Sequence, residues 1–136
     1  MIHGLSHITL IVRDLECSAR MVKELMGGLE IYDSSEKNFS ISREKFFDVG
    51  GLWLVLMQGP SLPEKSYNHI AFQVNQADLP GIQSTAERLG LELMTSRTRV
   101  AGEGNSVYVY DYDNHLLEFH TGTLEKRLQT YKNLGQ

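Results

Sequence analysis

One cysteine, Cys17, among 136 residues leaves no partner for an internal disulfide and rules out a cysteine-rich metal cluster. Three prolines and 12 glycines exclude a collagenous or low-complexity chain, and 41% hydrophobic residues exclude a disordered one. No apolar run approaches the length of a membrane span, and the opening MIHGLSHITLIV carries no basic leader. An excess of positive charge is missing too. Thirteen Lys and Arg face 17 Asp and Glu, giving a net charge of −4, so neither nucleic acid nor an anionic membrane is an expected partner. The expectation is a soluble, cytoplasmic, single-domain protein. A chain this long buries roughly two-thirds of its unfolded surface and needs no staple to fold.

What is present is an internal echo. His7-Ile8-Thr9-Leu10-Ile11-Val12 followed by Asp14-Leu15 resembles His69-Ile70-Ala71-Phe72-Gln73-Val74 followed by Asp78-Leu79. Each copy opens on histidine, alternates as a strand does, and reaches an Asp-Leu pair suited to capping a helix. Helices are expected from Leu15 to Met26, closed by Gly27-Gly28, and from Leu79 to Leu89, closed by Gly90. Strands are expected at Phe39–Ser42, Lys45–Val49 and Leu52–Met57 in the first half, and at Ser106–Tyr110 and His115–His120 in the second. Both halves therefore read as a β-α-β-β-β unit, one duplicated module in an α+β fold. The expected boundaries are module one at about 1–58, a two-proline linker at about 59–66 and module two at about 67–122. A C-terminal helix follows at about 123–134, with Thr123 as its cap and Leu124, Leu128 and Tyr131 on one face.

His7 and His69 stand at matching points of the repeats, and histidine is the commonest side-chain metal ligand. Glu118 interrupts the apolar strand Leu116-Leu117-Glu118-Phe119. Aligning Asp113–Leu116 on Gly50–Trp53 puts it at the place of Val55. A buried carboxylate needs a compensating cation, and a divalent metal would supply one. Two histidines and one carboxylate leave metal positions open for substrate and water, as a catalytic site requires. Zinc, ferrous iron and manganese all accept such a set, and oxygen-rich substrates favour manganese. The bland alternative is a salt-bridged or solvated Glu118.

Several stretches then carry a family resemblance: Gly4–Val12, Tyr67–Gln73, Gly102-Glu103-Gly104, Tyr108–Glu118 and Gly122–Leu128. On these the chain resembles the fosfomycin-resistance proteins of the vicinal oxygen chelate superfamily, and among them the epoxide hydrolases of the FosX type. The resemblance implies paired βαβββ modules forming an open curved mixed sheet, swapped between the subunits of a homodimer. It implies Mn2+ held by His7, His69 and Glu118, fosfomycin as substrate, and Glu44 as the general base that activates water. It further implies phosphonate and substrate contacts from Thr9, Tyr67, Tyr108 and Arg127, and from Arg99 in preference to Arg97. Thr98 and Gly102 replace a lysine and a serine of the thiol-transferring relatives, which puts a potassium requirement in doubt. The competing readings are a fosfomycin thiol transferase using glutathione, bacillithiol or cysteine, a ferrous dioxygenase of the superfamily, and a metal-free sequestering protein. His120 shares the face of Glu118 and is a candidate supporting group behind the ligands, though a plain strand-end histidine is the better reading.

Overall fold

Alternation in His7–Val12 sends Leu10 and Val12 inward and leaves His7, Thr9 and Ile11 on the open side, the pattern of a strand buried on one face. In the computed structural model, which describes residues 1–35, 37, 40–95 and 99–135, this strand is β1. It is followed by α1 (Leu15–Met26), β2 (Leu29–Asp33), β3 (Glu44–Val49) and β4 (Leu52–Gln58). A second series follows: β5 (His69–Gln73), a single 3-10 turn (Gln76–Asp78), α2 (Leu79–Arg88), β6 (Glu92–Met94), β7 (Ser106–Tyr110), β8 (Leu116–His120) and α3 (Leu124–Leu134). The chain divides into one unit of Met1–Lys65 with Asp111–His115 and another of Ser66–Tyr110 with Leu116–Gln136.

The first unit holds a sheet in the order β1-β4-β3-β2, parallel between β1 and β4 and antiparallel elsewhere. Its core is Leu10, Val12, Met21, Val22, Leu25, Phe47, Leu54 and Leu56 beneath α1. Asp14 caps α1 by accepting from the Cys17 amide, and Gly27 ends it at a φ of 66°, the left-handed turn that glycine adopts without steric cost. The hairpin between β3 and β4 turns on Gly50 and Gly51, both at positive φ, which a two-residue turn of the matching twist requires. The second unit repeats the plan as β5-β8-β7-β6 beneath α2. Leu79, Ile82, Ala86, Val109, Leu117 and Phe119 form its interior. The fold is thus α+β, with two four-stranded mixed sheets of identical connectivity.

Two strands differ from expectation. Phe39 lies outside the described residues, and Ser40, Ile41 and Ser42 form a bend in which Ile41 is 92% exposed. The partner of β3 is instead Leu29–Asp33, directly after the helix. With β2 and β4 on its two edges, β3 has no free edge on which a strand at 39–42 could pair. The second unexpected strand, β6, is three residues long, too short for alternation to announce it. The C-terminal helix forms on its Thr123 cap as expected, but Leu124, Leu128 and Tyr131 are all exposed.

Beneath the first sheet lies a charge network that the sequence does not announce. Strand alternation sends Lys45 inward, where it is 5% exposed, and its ammonium meets Glu30, Glu16 and Asp33 at 3.0, 3.4 and 3.5 Å. Arg43 bonds Glu16 at 2.9 Å and Asp33 at 3.1 Å. Burial pulls the Lys45 pKa down, but its bond to Glu30 and the surrounding carboxylates outweigh this and raise it. The Arg43 guanidinium, helped by the Ser35 amide, pushes the Asp33 carboxyl down to about 2. A depressed carboxyl adds stability above its unfolded value, near 4, and loses it as pH falls towards 2. Asp33→Asn is therefore expected to lower the urea midpoint at pH 7 and leave it nearly unchanged at pH 2. Equal losses at both pH values would show that the ion pair is not the source.

Candidate active site

The register of the second sheet decides which side chains meet. Ala71 pairs with Glu118 on one side and Tyr108 pairs with it on the other. One step along the same face, Gln73, His120 and Ser106 form the next row. Period-2 alternation puts both rows on the face turned away from α2. Ala71, the small member, leaves room beside the carboxylate. The same count in the first sheet pairs Thr9 with Val55 and Phe46 with Val55. Glu118 thus occupies the place of Val55, as the sequence alignment had it, and Ser106 occupies the place of Glu44.

Glu118 is 5% exposed. Its Oε2 accepts from Ser106 Oγ at 2.5 Å and from Arg99 Nη2 at 3.0 Å. Burial pushes this carboxyl up, but hydrogen bonds from Ser106 and Tyr108, the nearness of the His120 ring and the Arg99 guanidinium more than offset that and hold it below its ordinary range. Its other oxygen, Oε1, lies 3.0 Å from His69 Nε2. His69 Nδ1 stands 2.7 Å from the Tyr67 carbonyl. A carbonyl only accepts, so Nδ1 carries a proton there. In a neutral ring Nε2 then presents a lone pair to a carboxylate, an arrangement that calls for a cation between them. A divalent metal fits this donor set: one imidazole nitrogen oriented by a backbone carbonyl, the usual support of a histidine ligand, and one ionised oxygen. Octahedral ions with bonds of about 2.1 Å hold neighbouring donors about 3 Å apart, which is the separation here.

The remaining expected residues of this unit surround the pair. A cleft of about 410 Å³ is lined by Tyr67, His69, Arg99, Tyr108, Glu118 and Arg127, among others. The Tyr67 and Tyr108 hydroxyls are 3.1 Å apart, and Arg99 Nη2 donates to Tyr108 at 2.9 Å. Burial, the Tyr67 bond and the Glu118 charge all push the Tyr108 phenol up, so it stays neutral and able to donate. Arg99 Nε and Nη1 are buried with no acceptor among the described residues. Two unsatisfied donors on a buried guanidinium are costly, and an incoming oxyanion would satisfy them. Arg97 and Thr98 lie outside the described residues. Gly102 is at a φ of +97°, and a Cβ there would strike Thr130 on α3.

His7, Thr9 and Glu44 share the open face of the first sheet. The His7 ring packs tilted against Trp53 with ring centroids 4.3 Å apart, and its Nδ1 is 2.9 Å from Ser6 Oγ. Glu44 begins β3, half-buried, and its backbone is tied twice to the buried Ser34: it donates to Ser34 Oγ and accepts from the Ser34 amide. Its neighbours Arg43 and Lys45 are anchored on the helix side, so alternation aims Glu44 away from them. Among the described residues, no three His, Cys, Asp or Glu side chains already form a group able to hold an ion. His69 and Glu118 form a pair in the second unit, and the third expected donor, His7, belongs to the first.

Beside Glu118, the sequence does not single out Ser106, and it presents His120 chiefly as a strand-end histidine on the face of Glu118. Ser106 binds Glu118 and His120, and His120 Nε2 lies 3.3 Å from Arg127 Nη2. Its place two residues after Glu118, on the same face, is the signal that marks His120 as a candidate supporting group. Ser106 carried none.

No family model matches the chain. It is 52% identical to the fosfomycin resistance protein FosX of Listeria innocua, over 96% of this chain and 98% of that protein. It is 32% identical to the metallothiol transferase FosB of Staphylococcus haemolyticus, over 97% of this chain and 93% of that protein. Among solved structures, a mutant FosX of Listeria monocytogenes complexed with Mn(II) and 1S,2S-dihydroxypropylphosphonic acid is 48% identical. It matches with a TM-score of 0.87 and covers 96% of this chain and 99% of that one.

If the pair of His69 and Glu118 holds a divalent cation, Glu118→Gln is expected to weaken Mn2+ binding by about 100-fold or more, read by electron paramagnetic resonance. The melting temperature should move little, because the amide keeps its shape and can still bond Arg99. Undiminished Mn2+ affinity in this variant would remove the carboxylate from the ligand set.

Proposed function

This chain belongs to the FosX family of fosfomycin resistance proteins, and we propose that it opens the epoxide of fosfomycin with water in an Mn2+-dependent reaction, yielding an inactive diol phosphonate and so resistance. The observation that carries this reading is the buried Glu118 carboxylate set against His69 Nε2, in a cleft that also holds Arg99 and Arg127. Such a place suits a cation and an organic anion together. His7, His69 and Glu118 would hold the metal. A bound Mn2+ supplies Lewis acidity at the epoxide oxygen, easing the break of its C–O bond.

The chain's own residues supply the rest. Arg99 offers Nε and Nη1, donors without acceptors among the described residues, to the phosphonate oxygens. Arg127 adds a second guanidinium, which binds a phosphonate as it would a phosphate. Tyr108 remains a neutral donor, Tyr67 adds a second phenol hydroxyl beside it, and Thr9 adds a hydroxyl on the face that carries His7. Glu44 takes a proton from water as the water oxygen attacks the epoxide carbon bearing phosphorus. The ring oxygen leaves that carbon with the bonding electrons and is then protonated, and both hydroxyls of the diol are accounted for. Glu44 distinguishes this route from thiol transfer, in which an added thiol replaces water as nucleophile.

Two features of context belong to the same proposal. The protein acts in the cytoplasm, and no helix among the described residues is long and apolar enough to cross a membrane. It works as a homodimer in which modules of two copies complete each metal site. The exposed Ile11 and Trp53 on the open face of the first sheet, and Leu124 and Leu128 on α3, support this.

Phosphorus NMR of fosfomycin incubated with Mn2+-loaded protein tests the reading. Diol is expected without any thiol. Glu44→Gln should slow its formation roughly 10²- to 10⁴-fold, the range of a general base, while Mn2+ affinity stays within about threefold. Turnover that appears only with glutathione, cysteine or bacillithiol would overturn hydrolysis. Full activity in Glu44→Gln would overturn the base.

A further inference from the structure

Ser106 and His120 link two ends of the cleft through hydrogen bonds that can run in only one direction. An ionised Glu118 Oε2 only accepts, so the Ser106 hydroxyl donates to it at 2.5 Å. Ser106 Oγ then has lone pairs left, and His120 Nδ1, 2.7 Å away, donates to one of them. That places the proton of a neutral His120 on Nδ1 and leaves a lone pair on Nε2. Arg127 Nη2, which can only donate, lies 3.3 Å from that lone pair. The other neutral tautomer would set N–H against N–H at Arg127.

The backbone makes space for this chain of bonds. A Cβ on Gly122 would stand 2.7 Å from His120 Nε2 and 2.4 Å from the Glu103 carbonyl oxygen. A side chain there would collide with the atom that meets Arg127. The cap at Thr123 starts α3, and the Arg127 amide bonds the Thr123 carbonyl at 3.0 Å, so the backbone of Arg127 is placed by the helix start. Its long side chain still has rotamer freedom to lose, and the contact with His120 is what restrains its far end.

We propose that Ser106 and His120 are positioning residues that tie the guanidinium of Arg127 to the carboxylate of Glu118, holding the anion-binding end of the cleft at a fixed place relative to its metal-binding end. The inference rests on the reading of the cleft given above, with Arg127 as a phosphonate contact. It adds a specificity device: substrates must present an anionic group at one set distance from the reacting oxygen.

Three variants separate this from a merely structural role. His120→Asn keeps an N–H near the Nδ1 position but removes the acceptor for Arg127. It is expected to raise the KM for fosfomycin about tenfold, the scale of one lost hydrogen bond to a charged group, with kcat and Mn2+ affinity each within about threefold. His120→Gln, whose amide oxygen can reach the Nε2 position, should recover most of the KM. Combining His120→Asn with Arg127→Ala should add less than about twofold to the KM of Arg127→Ala alone, because residues acting through one another are not additive. A readout without turnover is long-range proton–nitrogen NMR of the metal-free protein, where His120 should show a protonated Nδ1 and a bare Nε2. An Nε2–H tautomer, multiplying effects in the double variant, or a joint loss of kcat, Mn2+ affinity and melting temperature would each overturn the proposal. Wild-type protein that makes no diol would overturn the hydrolase reading and this inference with it. Wild-type activity with an unchanged KM in His120→Asn would overturn the inference alone.

Discussion

A carboxylate carried in the middle of a buried strand, faced at 3.0 Å by an imidazole nitrogen whose ring partner is already bonded to a carbonyl, sets the charge pattern of the second sheet. Burying an ionised Glu118 costs several kcal/mol unless donors and positive charge compensate it. Ser106, Tyr108 and Arg99 supply that compensation, and the guanidinium is thereby brought into the cleft that holds the His69 imidazole. The polar residues there serve stability and chemistry at once. Those that satisfy the carboxylate are the ones that can grip a cation and an oxyanion beside it.

Duplication of one module explains how a chain this short carries both parts of the chemistry. The two sheets share connectivity and register, so corresponding positions can be compared directly. Glu118, His120, Ser106 and Tyr108 in the second take the places of Val55, Met57, Glu44 and Phe46 in the first. The second sheet has become a polar cradle. The first keeps an aromatic face of Tyr32, Phe46 and Trp53, with the His7 ring tilted against Trp53, and carries Glu44 at one end of β3 and Asp48 at the other. On the helix side Lys45 and Arg43 hold Glu16, Glu30 and Asp33. Glu44 stands on the face that carries this aromatic surface, with its backbone held by Ser34 and its neighbours anchored on the other face.

Much of this was legible in the chain itself. The two histidine-led strands, the Asp-Leu caps and the glycine stops marked both repeats, and the alignment of Glu118 on Val55 holds in the sheet register. The strand expected at Phe39–Ser42 failed because alternation says nothing about which edge of β3 is free. The three residues of β6 are too few for a period to show. Ser106 could not be found, because a serine on an alternating strand has no local mark, and the burial of Lys45 followed from pairing rather than from its charged surroundings. Glu44 is the instructive case. Its own sequence context is that of a solvated glutamate, and only the family resemblance singled it out. What the fold adds is its surroundings: it sits on the face opposite the ion-pair network, at the position where the other module keeps Ser106.

The most direct measurement is manganese-edge anomalous diffraction from crystals grown with Mn2+. The account predicts one strong anomalous peak per chain, bonded to His69 Nε2, to the carboxylate of Glu118 and to a third donor, His7. A peak elsewhere, or none, with Glu118 still held only by Ser106 and Arg99, would contradict it.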